Sequence, residues 1–138
     1  MQTIKKFFEN KVLMITGATG SFGTHFLKKL TQINAKPKKI IIFSRDELKQ
    51  YELKKKIYGK FGSKLRFFLG DVRDKDRVFQ ALNGVDIVIH AAALKQVDTA
   101  EYNPSEYIKT NVTGAENVTN GSIKNNVDYV LALSTDKA

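Results

Sequence analysis

Val12-Leu-Met-Ile-Thr16-Gly17-Ala-Thr-Gly20-Ser-Phe-Gly23 is the stretch that decides the fold. Its first five residues are apolar or β-branched and predict a short buried strand. The glycines then recur three apart and lead into an amphipathic run, the context a phosphate-binding turn between strand and helix requires. Gly17 permits the tight turn, Gly20 leaves room for a pyrophosphate against the backbone, and Gly23 lets the following helix pack closely on the strand. Unpaired N–H groups at the helix start suit an anion. The competing reading is an ordinary glycine-rich turn.

Outward from this stretch, short β-branched runs alternate with longer amphipathic ones, the rhythm of βαβ units. Strands are predicted at Val12 to Thr16, Lys39 to Phe43, Leu65 to Leu69, Asp86 to His90 and Tyr129 to Leu133. Helices are predicted over about 21–33, 46–59, 74–82 and 104–125, with Asn34 to Pro37 and Asn83-Gly84 as stops. The expectation is an α/β fold: one Rossmann-type, doubly wound parallel sheet of strand order 3-2-1-4-5, with residues 1–138 as one dinucleotide-binding domain.

Composition narrows the function classes. The 138 residues contain no cysteine and only two separated histidines, His25 and His90, which excludes thiolate metal sites and leaves no metal expected. Met1 to Phe8 lacks the apolar stretch of a signal peptide and no run approaches a membrane span, so a cytoplasmic protein without membrane association is expected. The sequons at Asn111, Asn117 and Asn120 are read as chance. Residues 28–66 carry 13 Lys and Arg against 3 Asp and Glu, so the net charge of +9 is local. No stacking aromatics or nucleic-acid module accompany that segment, and a solvated lysine face partly serving an anionic cofactor is preferred to nucleic-acid binding.

Ligands of open α/β sheets sit beyond the carboxyl ends of the strands. After strand two that place reads Phe43-Ser44-Arg45-Asp46. A guanidinium grips a 2′-phosphate bidentately, and Lys38, Lys39 and Lys49 add positive potential nearby, so NADP is preferred to NAD. Against this, Ser44-x-x-Glu47 has capping-box spacing and Asp46 could serve a ribose. Gly70-Asp71-Val72 closes strand three, where Asp71 and the Val72 backbone could meet the base, or Asp71 could cap the next helix. Candidate cofactor contacts are Thr16, Gly17, Thr19, Gly20, Ser21, Phe22, Gly23, Ser44, Arg45, Asp71, Val72, Ala91, Ala92, Ala93 and Asn111.

The glycine turn, Gly70-Asp-Val72, Ala91-Ala-Ala93 and Ser134-Thr135 together resemble the extended short-chain dehydrogenase/reductases. More narrowly, Phe43-Ser-Arg-Asp-Glu47, Ala92-Ala-Leu-Lys-Gln-Val97, Thr110-Asn-Val-Thr-Gly114 and Ser134-Thr-Asp-Lys-Ala138 are similar to the inverting nucleotide-sugar 4,6-dehydratases, which act on UDP-N-acetylglucosamine. Retaining relatives carry Glu at the place of Lys137, and epimerases usually lack the acid. The resemblance implies transient oxidation at sugar C4, loss of water across C5–C6 and hydride return. Thr135 would hydrogen-bond the C4 hydroxyl, Asp136 would protonate the departing C6 hydroxyl and Lys137 would take the C5 proton. Asn111 would steady a water near the family's catalytic lysine, or have no role, and Lys95 would face the sugar or remain a surface lysine.

The family's Tyr-x-x-x-Lys is expected after strand five, beyond the last residue given. Tyr51-x-x-x-Lys55 has the spacing but falls in the second predicted helix, away from the active edge, and is rejected. The chain is therefore expected to be the N-terminal portion of a longer enzyme with a UDP-sugar substrate that forms a homo-oligomer at full length. The alternatives are a non-catalytic dinucleotide-binding module and an NADP-dependent epimerase or reductase.

Overall fold

The computed structural model describes residues 2–92 and 104–133. Five parallel strands form one sheet in the order β3-β2-β1-β4-β5: β1 Val12–Thr16, β2 Lys39–Ser44, β3 Leu65–Leu69, β4 Ile87–His90 and β5 Tyr129–Ala132. Val12 pairs with Lys39 and Thr16 with Phe43 on one side of β1, while Leu13 faces Ile87 and Thr16 faces His90 on the other. The doubly wound order and the strand positions agree with the sequence reading, with ends differing by a residue.

Each central strand sends alternate side chains to opposite faces, and both faces are covered. Leu13, Ile15, Ile40, Ile42, Ile87 and Ile89 pack on one side with Leu27 and Leu30 of α2 (Ser21–Gln32) and with Leu53, Ile57 and Phe61 of α3 (Glu47–Phe61). Met14, Ile41, Phe43 and Val88 pack on the other, against Val78 and Ala81 of α4 (Lys75–Ala81) and Val118 of the last helix. A strand buried on both faces has no polar register to conserve, which is why these runs are apolar throughout rather than alternating.

Two helical features depart from the sequence reading. α1 (Gln2–Phe8) was not expected, yet Phe8 is in the core, with its ring 5.8 Å from Phe26, while Phe7 lies 5.0 Å from Tyr129 of β5. Aromatic docking, more than the intrinsic preference of seven residues, holds so short a helix. The single helix predicted over 104–125 is instead α5 (Pro104–Tyr107), a π-helical segment Ile108–Thr113 and α6 (Gly114–Lys124). Gly114 abuts the Val72 side chain so closely that an added Cβ would lie 2.6 Å from it, bringing α6 against the β3–α4 connection.

Stops fall where residues tolerant of the left-handed region were read: Asn34 has φ 56° and Gly84 φ 79°.

Candidate active site at the carboxyl edge

The glycine turn takes its shape from contact distances. Gly17 has φ +68°, and a Cβ there would lie 2.8 Å from the backbone of Ala91 and Ala92, so both conformation and the neighbouring strand end demand glycine. Gly20 stands at the N-cap of α2 without a side-chain cap. The helical ladder begins with Thr24 N–H donating to the Gly20 carbonyl, so the N–H groups of Ser21, Phe22 and Gly23 precede it at the helix start. At Gly23 the tightest approach is to the turn that follows the strand. The missing side chain makes room for Ala18 in the turn itself, 2.3 Å from where a Cβ would stand.

Behind the turn, Thr16 is fully buried and its hydroxyl joins three groups. It accepts from the N–H groups of Ala91 (3.1 Å) and Ala92 (3.2 Å) and lies 2.7 Å from His90 Nδ1. With its lone pairs so used, the hydroxyl proton points to Nδ1, which assigns His90 the neutral tautomer protonated at Nε2. Burial pushes the His90 pKa below its ordinary value, in the same direction. A sealed Thr16 shapes the site from beneath and is not placed to touch a ligand in the cleft.

The cleft itself, about 290 Å³, opens over the carboxyl ends of four strands. Gly17, Thr19 and Gly20 line it from the β1 turn, Phe43, Ser44 and Arg45 from β2, Gly70, Asp71 and Val72 from β3, and Ala91 and Ala92 from β4, with Lys49 and Thr110 completing the wall. Most of the cofactor candidates thus surround one space. Ser21, Phe22, Gly23 and Asn111 are not among its lining residues; Phe22 stacks on Phe26 at 5.9 Å. In the π-helical segment it is Thr110, quoted within a motif but given no role from the sequence, that borders the cleft. Its hydroxyl is buried without a hydrogen-bond partner among the described residues.

Two buried carboxamides brace this edge, and neither was foreseen. Gln50 Nε2 donates to the Ser44 carbonyl (3.2 Å) and hydroxyl (2.9 Å) and to the Phe68 carbonyl (3.0 Å), tying β2 to β3. Asn117 Nδ2 donates to the Val72 carbonyl at 2.9 Å, tying α6 to the same rim. For Gln50 the sequence signal was a polar residue on an otherwise apolar face of α3, whereas Asn117 shares its buried face with Ser122.

Charge at the rim is organised by Asp71. It accepts from Arg73 through the backbone N–H (3.0 Å), Nε (2.9 Å) and Nη2 (2.7 Å), while Arg45 Nη1 stands 3.7 Å away. Arg73 also pairs with Glu106 of α5. Burial raises the Asp71 pKa, but the hydrogen bonds from Arg73 and the charges of Arg73 and Arg45 outweigh it, and the carboxyl titrates below its ordinary value. Asp71 does not cap α4; Asp74 does, accepting from Arg77 N–H at 3.2 Å. Likewise the capping-box alternative for Ser44 fails, because Asp46 is the N-cap of α3 and accepts from Lys49 N–H at 3.0 Å.

Lys38 and Lys39 are corrected as well. Lys39 opens β2, five residues before Ser44. At roughly 3.3 Å per residue that is about 16 Å, at the opposite edge of the sheet. Lys49 alone of the three lines the cleft. Tyr51 and Lys55 stack in a cation–π pair at 4.5 Å on α3, in keeping with their rejection. Ala93, Lys95, Thr135, Asp136 and Lys137 lie outside the described residues. Among the described residues no cluster could hold a metal ion, and no helix is long and apolar enough to cross a membrane.

The profile of a family described as polysaccharide biosynthesis protein matches residues 13–138. A UDP-N-acetylglucosamine 4,6-dehydratase (inverting) of Campylobacter jejuni is 54% identical over 95% of this chain and 38% of its own length. A UDP-glucose 4-epimerase of Rickettsia prowazekii is 51% identical over 95% and 38%. Among solved structures, Pen from Bacillus thuringiensis superposes with TM-score 0.84 at 38% identity, covering 91% of this chain and 37% of that one. The dTDP-glucose 4,6-dehydratase DesIV of Streptomyces venezuelae, solved with NAD bound, gives 0.72 at 25%, covering 86% and 38%. The chain thus spans little more than a third of the length of the curated relatives it matches.

Proposed function

From its membership of the polysaccharide biosynthesis protein family, we propose that this chain is the cofactor-binding portion of a nucleotide-sugar 4,6-dehydratase that uses NADP and acts on UDP-N-acetylglucosamine. The observation that carries this reading is the cleft into which four strand ends converge around the backbone of Gly17 and Gly20. That cradle fits a dinucleotide: a side chain at Gly17 would collide with Ala91 and Ala92, and the N–H groups opening α2 suit a pyrophosphate. When bound, a nicotinamide dinucleotide supplies a hydride acceptor and donor.

The chain's own groups have distinct tasks. Arg45 and Lys49, beside Ser44 at the end of β2, present positive charge to a ribose 2′-phosphate, which favours NADP over NAD. Asp71 and the Val72 backbone meet the base. Thr135 orients the sugar C4 hydroxyl, Asp136 protonates the departing C6 hydroxyl and Lys137 removes the C5 proton, as the 54% identity to an inverting dehydratase supports.

The full-length protein incubated with UDP-N-acetylglucosamine and NADP⁺ should release a 4-keto-6-deoxy product, read by mass loss of one water. A second reading, C4 epimerisation, is favoured by the 51% identity to UDP-glucose 4-epimerases. An isomer of unchanged mass would decide for it, and no product with either UDP-N-acetylglucosamine or UDP-glucose would leave dinucleotide binding alone.

A further inference from the structure

Arg45 and Arg73 both stand beside Asp71, yet they use it differently. Arg73 directs three hydrogen bonds at the carboxylate, one to Oδ1 and two to Oδ2, and anchors its other end on Glu106. Arg45 lies 3.7 Å from Oδ2, outside hydrogen-bond range, with its side chain 57% exposed at the mouth of the cleft. A carboxylate oxygen offers about two acceptor positions; the Arg73 guanidinium fills both on Oδ2, through Nε and Nη2, and its backbone N–H takes one on Oδ1.

We propose that Arg73 is a positioning residue for cofactor choice: by filling Asp71 Oδ2, the oxygen nearest Arg45, it keeps that carboxylate from capturing Arg45, whose guanidinium is thereby held ready for a ribose phosphate. This rests on the reading that the cleft takes a dinucleotide with its phosphate at Arg45. Without Arg73 two effects act in one direction. Asp71 gains empty acceptor positions within reach of Arg45, and the rim loses one positive charge, which lowers its attraction for a dianionic phosphate. NAD carries only an uncharged hydroxyl at that position, so its binding should hardly change.

Dissociation constants of NADP⁺ and NAD⁺ for the protein, measured by titration calorimetry, supply the test through their ratio. Arg73→Gln should reduce the preference for NADP⁺ about tenfold while NAD⁺ affinity stays within about twofold. Arg73→Lys, which keeps the charge and loses the fork, should fall between. Adding Asp71→Asn to Arg73→Gln should return most of the preference, because no carboxylate remains to compete for Arg45. A wild-type ratio in Arg73→Gln, or an equal loss for both cofactors, overturns the inference. Loss of preference in Arg45→Ala but not in Arg73→Gln would sink this inference alone. No preference in the wild type, or one that Arg45→Ala leaves intact, would sink the NADP reading and the inference with it.

Discussion

The phosphate turn and the charged rim face the same cleft but are held by different physics. Around Gly17 and Gly23 the backbone of one element stands where a side chain of another would be, and nothing larger than hydrogen fits. Around Asp71 the groups are partly exposed, long and charged, and their pairing can be redistributed without moving the backbone. Steric fixation leaves a site with one shape. Electrostatic fixation leaves one whose preference changes with a single substitution. On the function proposed above, the turn admits a phosphate-bearing ligand and the rim selects which one.

Substitutions should separate the two regimes. Gly23→Ala puts a Cβ 2.3 Å from Ala18 Cα, a contact that only a backbone shift relieves. We expect about 3 kcal/mol or more of lost stability, measured by urea denaturation; a loss under about 1 kcal/mol would show that the turn yields easily. Thr16→Val keeps the shape and removes the hydroxyl beneath the turn. The Ala91 N–H retains the Thr16 carbonyl at 3.1 Å, but Ala92 N–H and His90 Nδ1 lose their partner. A cost of about 1–3 kcal/mol is expected.

His90 carries a pH dependence of known sign. Its pKa is lower in the folded chain than unfolded, so its contribution is fully present above about pH 6.5 and is lost as pH falls from there through the folded value. Denaturation midpoints should decline between pH 7 and 5, and His90→Gln should flatten that decline. An unchanged slope in the variant would remove His90 as its source. At the rim, Arg45→Ala should move stability by no more than about 0.5 kcal/mol, since the side chain is largely exposed. Thr110→Val should cost nothing or add slightly, because it removes a buried hydroxyl with no partner among the described residues. A clear destabilisation would mean that the hydroxyl has a role within the fold.

Strand positions were legible because β-branched runs such as Lys39–Ser44 are buried on both faces and carry their signal locally. The turn was legible for the same reason: its glycines lie within seven residues. What escaped depends on chain crossings. No local pattern brings Arg73 to Glu106 or Asn117 to Val72. Lys38 and Lys39 were misjudged by treating nearness in sequence as nearness in space along an extended strand. The π-helical segment was missed because an i→i+5 pattern leaves no mark in composition, and within it Thr110, not Asn111, lines the cleft. Asp136 and Lys137 remain where the sequence reading left them, as proposals drawn from resemblance.

The account rests on a dinucleotide occupying the cleft at the carboxyl edge, and amide shifts of the isotope-labelled protein during an NADP⁺ titration test that directly. Saturable shifts should concentrate at Gly17, Gly20, Ser44, Arg45, Asp71, Val72, Ala91 and Ala92. Shifts confined to the exposed lysines of α3, or none at all at millimolar ligand, would contradict it.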